Sequence, residues 1–317
     1  MAVKRRDFLK LAGSLGAGTV YALYGGELGQ LFGQAADGSV HVIWLQGASD
    51  SGCTISLLQG VNPDLVDAIT NFRLAVDFNP TLMIPSGDAA LASLTGAVSG
   101  VTPLDILIVE GAVPMGDFCT VGELNGQPVT FESWVKNLAA KAKHIVAVGT
   151  CAAFGGIPAA KPNPTSCRPV STVVPRRRVI NIPGCPAHPD WVLLTLATLF
   201  SGRVPSLDDH RRPKVFFHED LHDDCPLEHY YERNQFAAAP GQPGCLYRLG
   251  CRGKMTDADC PTRYWNNKTS FCMSGPWQNG RQLYNAGAPC IGCTQPGFPD
   301  PPFSPFYFQA GERDGED

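Results

Sequence analysis

Long apolar runs are missing from this sequence, and none of its stretches approaches the roughly 18 to 20 uninterrupted apolar residues of a membrane-spanning helix. Long basic runs are missing as well. The formal charge is only -4 over 317 residues, with 25 Lys and Arg against 29 Asp and Glu, and no basic run exceeds the triplet Arg176-Arg177-Arg178. This excludes a nucleic-acid surface, which needs a concentrated basic face. The triplet is expected to be a solvated face just before a strand. Charged residues make up 17% of the chain and hydrophobic ones 44%, so disorder is excluded and there is enough core for one large or two ordinary domains.

Cysteine, by contrast, is abundant, with twelve residues. In a small secreted domain that count would read as disulfides; here the chain is large and the thiols cluster beside Gly and Pro, which makes metal binding the leading reading. At the N-terminus, VKRRDFLKLAGSLGAGTVYALYGG places Arg5-Arg6 and Phe8-Leu9-Lys10 before a weakly apolar Gly/Ala stretch, resembling a twin-arginine export signal. Lys4 replaces the usual Ser or Thr, and Glu27 interrupts the apolar run. The expectation is a twin-arginine-like leader over residues 1–38 that stays uncleaved, on a cytoplasmic or cytoplasmic-side membrane-associated protein. The alternative is export to the outer face of the membrane.

From Ser39 onward, four β-branched or apolar runs each end in a Gly-bearing loop: SVHVIWLQG, LDILIVEGA, HIVAVGTCA and RVINIPGCP. These read as buried parallel strands. Helical patterns lie between them: PDLVDAITNFRLAV, the Ala/Leu stretch from Asp88 to Val98, TFESWVKNLAAKAK and PDWVLLTLATLF. The alternation predicts an α/β doubly wound parallel sheet over residues 39–205, with ligands beyond the carboxyl ends of the strands. The loops there carry Asp50 and Cys53, then Glu110, then Cys151, then Cys185.

Residues 206–317 are predicted to be a second, irregular domain. Gly, Pro and aromatic residues replace the periodic pattern, and seven of the twelve cysteines fall between Cys225 and Cys293. Such a segment needs cohesion from bound metal. The donors His222 and Cys225, Cys245 and Cys251, Cys260 and Cys272, and Cys290 and Cys293 make two sets of four. Two structural zinc ions would use the same ligands, so zinc and iron-sulfur clusters both stay open on spacing. The third multi-thiol set at the sheet edge favours a row of iron-sulfur electron carriers.

Nine motifs follow in order between about residues 40 and 300: WLQG-x-x-D-x-x-C-T, VEGAVP, VGTCAAFGG, KPNPT, PGCPAHPDW, RPKVFF, HDDC, CLYRLGC and APCIGCTQP. This series resembles the small, electron-transfer subunit of nickel-iron hydrogenases, in the variants with an Asp in the proximal cluster motif. The resemblance implies a flavodoxin-like N-terminal domain, a cluster-binding C-terminal domain and three 4Fe-4S clusters. It also implies a hydrogenase large-subunit partner that carries the nickel-iron centre, as an obligate heterodimer that could pair further into a dimer of heterodimers. Hydrogen would be split in that partner, and electrons would leave through this chain to an acceptor the sequence does not identify.

Carried over residue by residue, the resemblance puts the proximal cluster on Asp50, Cys53, Cys151 and Cys185. The medial cluster falls on Cys260, Cys290 and Cys293, with Cys272 as a fourth thiol where many members have Pro. The distal cluster falls on His222, Cys225, Cys245 and Cys251. Asp50 stands where the opening Cys of C-T-G-C is usual, and its other possible role is to cap the following helix. Glu110 is either a proton-path or cluster-edge residue or a loop cap; Ile55 occupies the place of a usual Glu, so any proton route must differ. Gly155 and Gly156 stand where some members carry an additional proximal Cys. Cys119 and Cys167 match no ligand position, and His41, His144, His188, His210, His218 and His229 are expected to be surface or core residues. The rival reading is the quinone-reductase subunit of respiratory complex I, which resembles the N-terminal part but lacks the C-terminal ligand sets.

Overall fold

The computed structural model describes residues 39–301 apart from 61–63, 72–73, 219, 240–241, 262, 264–276, 279–280 and 283–288. The expected leader and Cys272 therefore lie outside the described residues. In chain order the principal elements are β1 (Val40–Gln46), α1 (Gly52–Leu57), α2 (Leu65–Asn71), β2 (Leu74–Phe78), α3 (Gly87–Ser99) and β3 (Ile106–Glu110). Next come β4 (Thr120–Leu124), β5 (Gln127–Thr130), α4 (Phe131–Ala139), β6 (His144–Val148), α5 (Thr150–Phe154) and α6 (Gly156–Ala159). The series continues with α7 (Val170–Val173), β7 (Val179–Ile182), α8 (Pro189–Phe200) and α9 (Glu228–Glu232).

The main sheet has five parallel strands in the order β2-β1-β3-β6-β7. Counted among themselves in chain order they run 2-1-3-4-5, the flavodoxin-like arrangement, with its topological switch between β1 and β3. The α/β expectation holds, with one correction. PDLVDAITNFRLAV is not one helix: α2 ends at Asn71, and Leu74–Phe78 forms the edge strand β2, pairing with β1 from Val40↔Leu74 onward. A hairpin also went unread. Its strands β4 and β5 flank Asn125 and Gly126, both at positive φ (53° and 74°), as a two-residue Asn-Gly turn requires.

Alternation along the strands divides the core in two. Val42, Trp44, Ile106, Ile108, Val146, Val148, Ile180 and Ile182 pack with α8 residues Trp191, Leu193 and Leu196 on one face. Ile43, Leu45, Leu107, Val109, Ile145 and Ala147 pack with α3 and α4 on the other. Helix α4 shows why its face is buried. Phe131, Trp134, Val135 and Leu138 repeat at three- and four-residue intervals, and the Thr130 side chain caps its start by accepting the Ser133 N–H at 3.1 Å. Helix α8 is apolar on nearly every side because the chain's C-terminal segment covers it: Phe216, Phe217, Leu221 and Cys290 belong to its core cluster. Among the described residues no helix is long and apolar enough to cross a membrane.

Two buried arginines fasten that C-terminal segment. Arg263 donates to Asp259 (2.9 and 3.0 Å from Nε) and to Asp190 of α8 (3.0 Å), with its guanidinium 5.2 Å from the Phe216 ring centre. Trp191 Nε1–H completes the arrangement, donating to Asp259 at 2.8 Å. Arg212 ion-pairs Asp208 (2.6 Å) and Asp257 (2.7 Å) and donates to the Thr294 carbonyl at 3.3 Å.

Arg263→Met is expected to destabilise the protein by about 3–5 kcal/mol, because Asp259 would stay buried, and Asp190 partly buried, without their cation. Lys136→Ala, which removes a half-exposed i,i+4 partner of Glu132, is expected to cost no more than about 0.5 kcal/mol. Chemical denaturation of the purified complex, followed by far-UV circular dichroism, checks the contrast.

Candidate metal centres

Four strand ends stand abreast. The register aligns Gln46 with Glu110, Glu110 with Val148, and Val148 with Ile182, so the loops after β1, β3, β6 and β7 leave the sheet at one level. They bring together Asp50, Cys53, Cys151, Cys185 and Glu110. The charges are close enough to act on one another: Cys53 feels Glu110, Cys151 and Cys185, and Cys151 feels Cys185 and Asp50. Burial, reinforced by these neighbours, pushes the Cys53 thiol well up and that of Cys151 up to about 12. Such thiols hold their protons until a cation replaces them, so binding metal here releases protons.

Glycines make room for the sulfurs. A Cβ at Gly149 (φ 85°) would lie 2.5 Å from Cys53 Sγ, and one at Gly156 2.9 Å from Cys151 Sγ. Backbone donors face the sulfurs too: Ala187 N–H to Cys53 Sγ (3.5 Å), Gly253 N–H to Cys251 (3.4 Å) and Gly292 N–H to Cys290 (3.4 Å). Donors of this kind stabilise thiolate and lower the negative charge on a bound cluster.

Glu110 is buried and accepts five hydrogen bonds. Cys53 N–H (3.0 Å) and Thr54 N–H (3.2 Å) reach Oε1, while Trp44 Nε1–H (2.9 Å), Gln46 Nε2–H (3.2 Å) and the Thr54 hydroxyl reach Oε2. It ties the end of β3 to the first turn of α1, which carries Cys53. Asp50 serves locally as well: its Oδ1 accepts the Gly52 N–H at 2.8 Å, with Ser51 in the left-handed region at φ 60°. The residues that sequence reading missed are Trp44, Gln46, Thr54 and Thr150. All four lie within the motifs WLQG-x-x-D-x-x-C-T and VGTCAAFGG, which was the available signal, but none was given a role. Thr150 accepts Gly184 N–H at 2.8 Å and donates to the Cys293 carbonyl, joining the first set of loops to the C-terminal segment.

In that segment Cys225, Cys245 and Cys251 act on one another, with burial pushing the Cys225 thiol up to about 11. His222 opens the same turn, its carbonyl accepting Cys225 N–H at 3.0 Å, and its ring meets Tyr231 edge-on at 4.7 Å. Cys290 is coupled to Cys293 and to Cys251, and burial pushes its thiol well up. Cys260 packs on the same apolar cluster as Cys290. Cys119 and Cys167 lie near each other, away from these sets; Cys167 is buried, with Thr165 Oγ1 3.1 Å from its sulfur. His188 caps α8, its Nδ1 accepting Asp190 N–H at 3.1 Å, and so is a core histidine as expected. Among the described residues no three His, Cys, Asp or Glu groups stand at the spacing of a single bound ion.

Residues 51–199 match the family described as NADH ubiquinone oxidoreductase, 20 Kd subunit, and residues 217–307 match the family described as the C-terminal part of the NiFe/NiFeSe hydrogenase small subunit. The chain is 36% identical to the periplasmic NiFeSe hydrogenase small subunit of Desulfomicrobium baculatum, over 97% of this chain and 99% of that protein. The chain belongs to the nickel-iron hydrogenase small subunits. It is 35% identical to the periplasmic NiFe hydrogenase small subunit of Solidesulfovibrio fructosivorans, covering 97% of this chain and 93% of that one. The solved NiFeSe hydrogenase of Desulfomicrobium baculatum, in a reduced, active form, superposes with a TM-score of 0.75 at 36% identity, covering 84% of this chain and 98% of that chain.

As a hydrogenase small subunit, the chain is the iron-sulfur, electron-transfer partner of a large subunit in a hydrogen oxidoreductase. The complex I reading fails because the hydrogenase match continues through the C-terminal ligand region. The cytoplasmic expectation is corrected as well: these two relatives are periplasmic proteins.

Gly149→Ala is expected to push Cys53 aside and lower the iron bound per chain. Gly202→Ala, at a similar φ of 73° but with nothing within 4 Å, is expected to keep its iron. Colorimetric iron analysis of the two purified variants distinguishes them.

Proposed function

We propose that this chain conducts electrons through three 4Fe-4S clusters: a proximal one on Asp50, Cys53, Cys151 and Cys185, a medial one on Cys260, Cys272, Cys290 and Cys293, and a distal one on His222, Cys225, Cys245 and Cys251. The observation that carries the reading is the convergence of one carboxylate and three thiols at the switch point of the sheet. Clusters are supported over zinc by the number of sets: three multi-thiol sets in one chain suit a row of electron carriers better than three separate structural ions. When bound, such clusters take up and release single electrons.

The chain's own groups hold and tune them. The N-cap of α1 is Ser51, with no side-chain cap bond; Asp50 accepts only the Gly52 N–H through Oδ1, which leaves its carboxylate able to serve as a ligand. A carboxylate is a harder, less covalent donor than a thiolate but equally anionic. Glu110 is a cluster-edge group: its two oxygens fix Cys53 and Thr54 through their N–H groups and the Thr54 hydroxyl. His222 replaces a thiolate by a neutral ring, which raises the distal potential relative to an all-Cys site. The matched segments, 51–199 and 217–307, support two domains divided near residue 205. Periplasmic relatives support export through the twin-arginine-like leader, with the large subunit as partner.

Iron and sulfide analysis of the purified complex is expected to give about twelve irons per small subunit, four for each thiolate-bound cubane. A colourless, iron-free chain would overturn the reading in favour of structural zinc. Asp50→Cys is expected to keep the proximal cluster at a changed potential and Asp50→Ala to make it labile, both followed by redox titration with electron paramagnetic resonance. A full-intensity three-iron signal in undamaged oxidised samples would remove Cys272 from the medial set.

A further inference from the structure

The opposite edge of the sheet carries a feature unrelated to the thiols. Where β6 and β7 begin, Lys143, His144, Ile145, Arg176, Arg177, Arg178, Ile180 and Val204 surround a cavity of about 310 Å³. The arginine triplet, expected to be a solvated face, thus lines a concavity together with a lysine from a separate loop. It precedes β7 as anticipated.

The charges around this cavity do not cancel. Lys143 ion-pairs Asp105 at 2.6 Å, and Asp105 also accepts the His41 N–H at 2.9 Å. Arg177 is fixed by donating to the Ala142 carbonyl, in a turn closed by its N–H to the Val174 carbonyl at 2.9 Å. Arg176 and Arg178 are exposed and have no ion-pair partner among the described residues. Three guanidinium groups therefore remain uncompensated in a chain whose formal net charge is -4. Burial first, then Lys143 and more weakly Arg177, hold the His144 pKa below the ordinary range, with Asp105 opposing them. Ile145 and Ile180, whose side chains pack into opposite faces of the sheet, line the cavity where their strands begin.

We propose that this cavity binds a phosphate-bearing anion, free in solution or presented as the headgroup of an anionic lipid. Guanidinium forks match tetrahedral oxyanions in pairs, and three of them offset the charge of a phosphate or diphosphate group. The turn and the Ala142 carbonyl hold Arg177 ready, so little order is lost on binding. Strand β6 alone, five residues long, puts roughly 16 Å between this edge and the thiol-bearing loops. The site is thus separate from the electron path and does not rest on the cluster assignment.

The test uses the intact complex and its Arg176→Ala/Arg178→Ala form. Calorimetric titration with inorganic pyrophosphate and co-sedimentation with phosphatidylglycerol vesicles, against phosphatidylcholine vesicles as control, are read side by side. The expected result is saturable binding in at least one arm, weakened at least tenfold in the double alanine variant, with iron content unchanged. Arg176→Lys/Arg178→Lys should recover part of the affinity, since it keeps charge but loses the forks. Pyrophosphate binding alone identifies a free anion, and vesicle binding alone a lipid headgroup. No binding in either arm, or equal binding by wild type and the alanine variant, overturns the proposal.

Discussion

The irregular third of this chain depends on two buried cations. Its described residues offer little sheet or helix to hold their shape, so Arg212 and Arg263 supply the framework. Each guanidinium is buried, satisfied by two aspartates and stacked near a phenylalanine ring. A charge can remain in such a place only when paired and hydrogen-bonded, and the same requirement fixes where its partners lie. Asp257 and Asp259 stand just before Cys260, and Thr294 just after Cys293, so the two arginines set the positions of the loops expected to hold the medial cluster.

At the other side of that contact the problem is reversed. Asp50, Glu110 and three thiols crowd the switch point with negative or potentially negative groups, and the described neighbourhood answers with neutral donors. Trp44, Gln46, Thr54 and the amides of α1 surround Glu110; the Ala187 amide faces Cys53. Fixed dipoles of this kind change little when an electron arrives or leaves, which favours low reorganisation in an electron carrier. Burial alone disfavours thiolates, and bound iron makes them stable.

The parts of the fold that could be read from sequence were those with a local cause. Four β-branched runs became four parallel strands, and the amphipathic spacing of Phe131, Trp134, Val135 and Leu138 became α4. Strand β2 was missed because Leu74–Phe78 follows helical spacing without an intervening glycine. Only pairing with β1, a contact distant in sequence, makes it a strand. The Asn125-Gly126 turn was legible and overlooked, since the residues before it, Thr120–Leu124, are mostly exposed and lack an apolar alternation.

The ligand types and their order along the chain are properties of the sequence alone: thiol, carboxylate and imidazole chemistry belongs to each side chain wherever it lies. The nine ordered motifs were enough to place the chain in its family. Tertiary structure decided which groups share a site. Strand register brought the ends of β1, β3, β6 and β7 abreast, and Thr150 reached the Cys293 carbonyl across 143 residues. It also turned an arginine triplet that reads as ordinary surface into one wall of a cavity completed by Lys143. Such encounters depend on burial and pairing between segments far apart in the chain, which no local pattern of residues encodes.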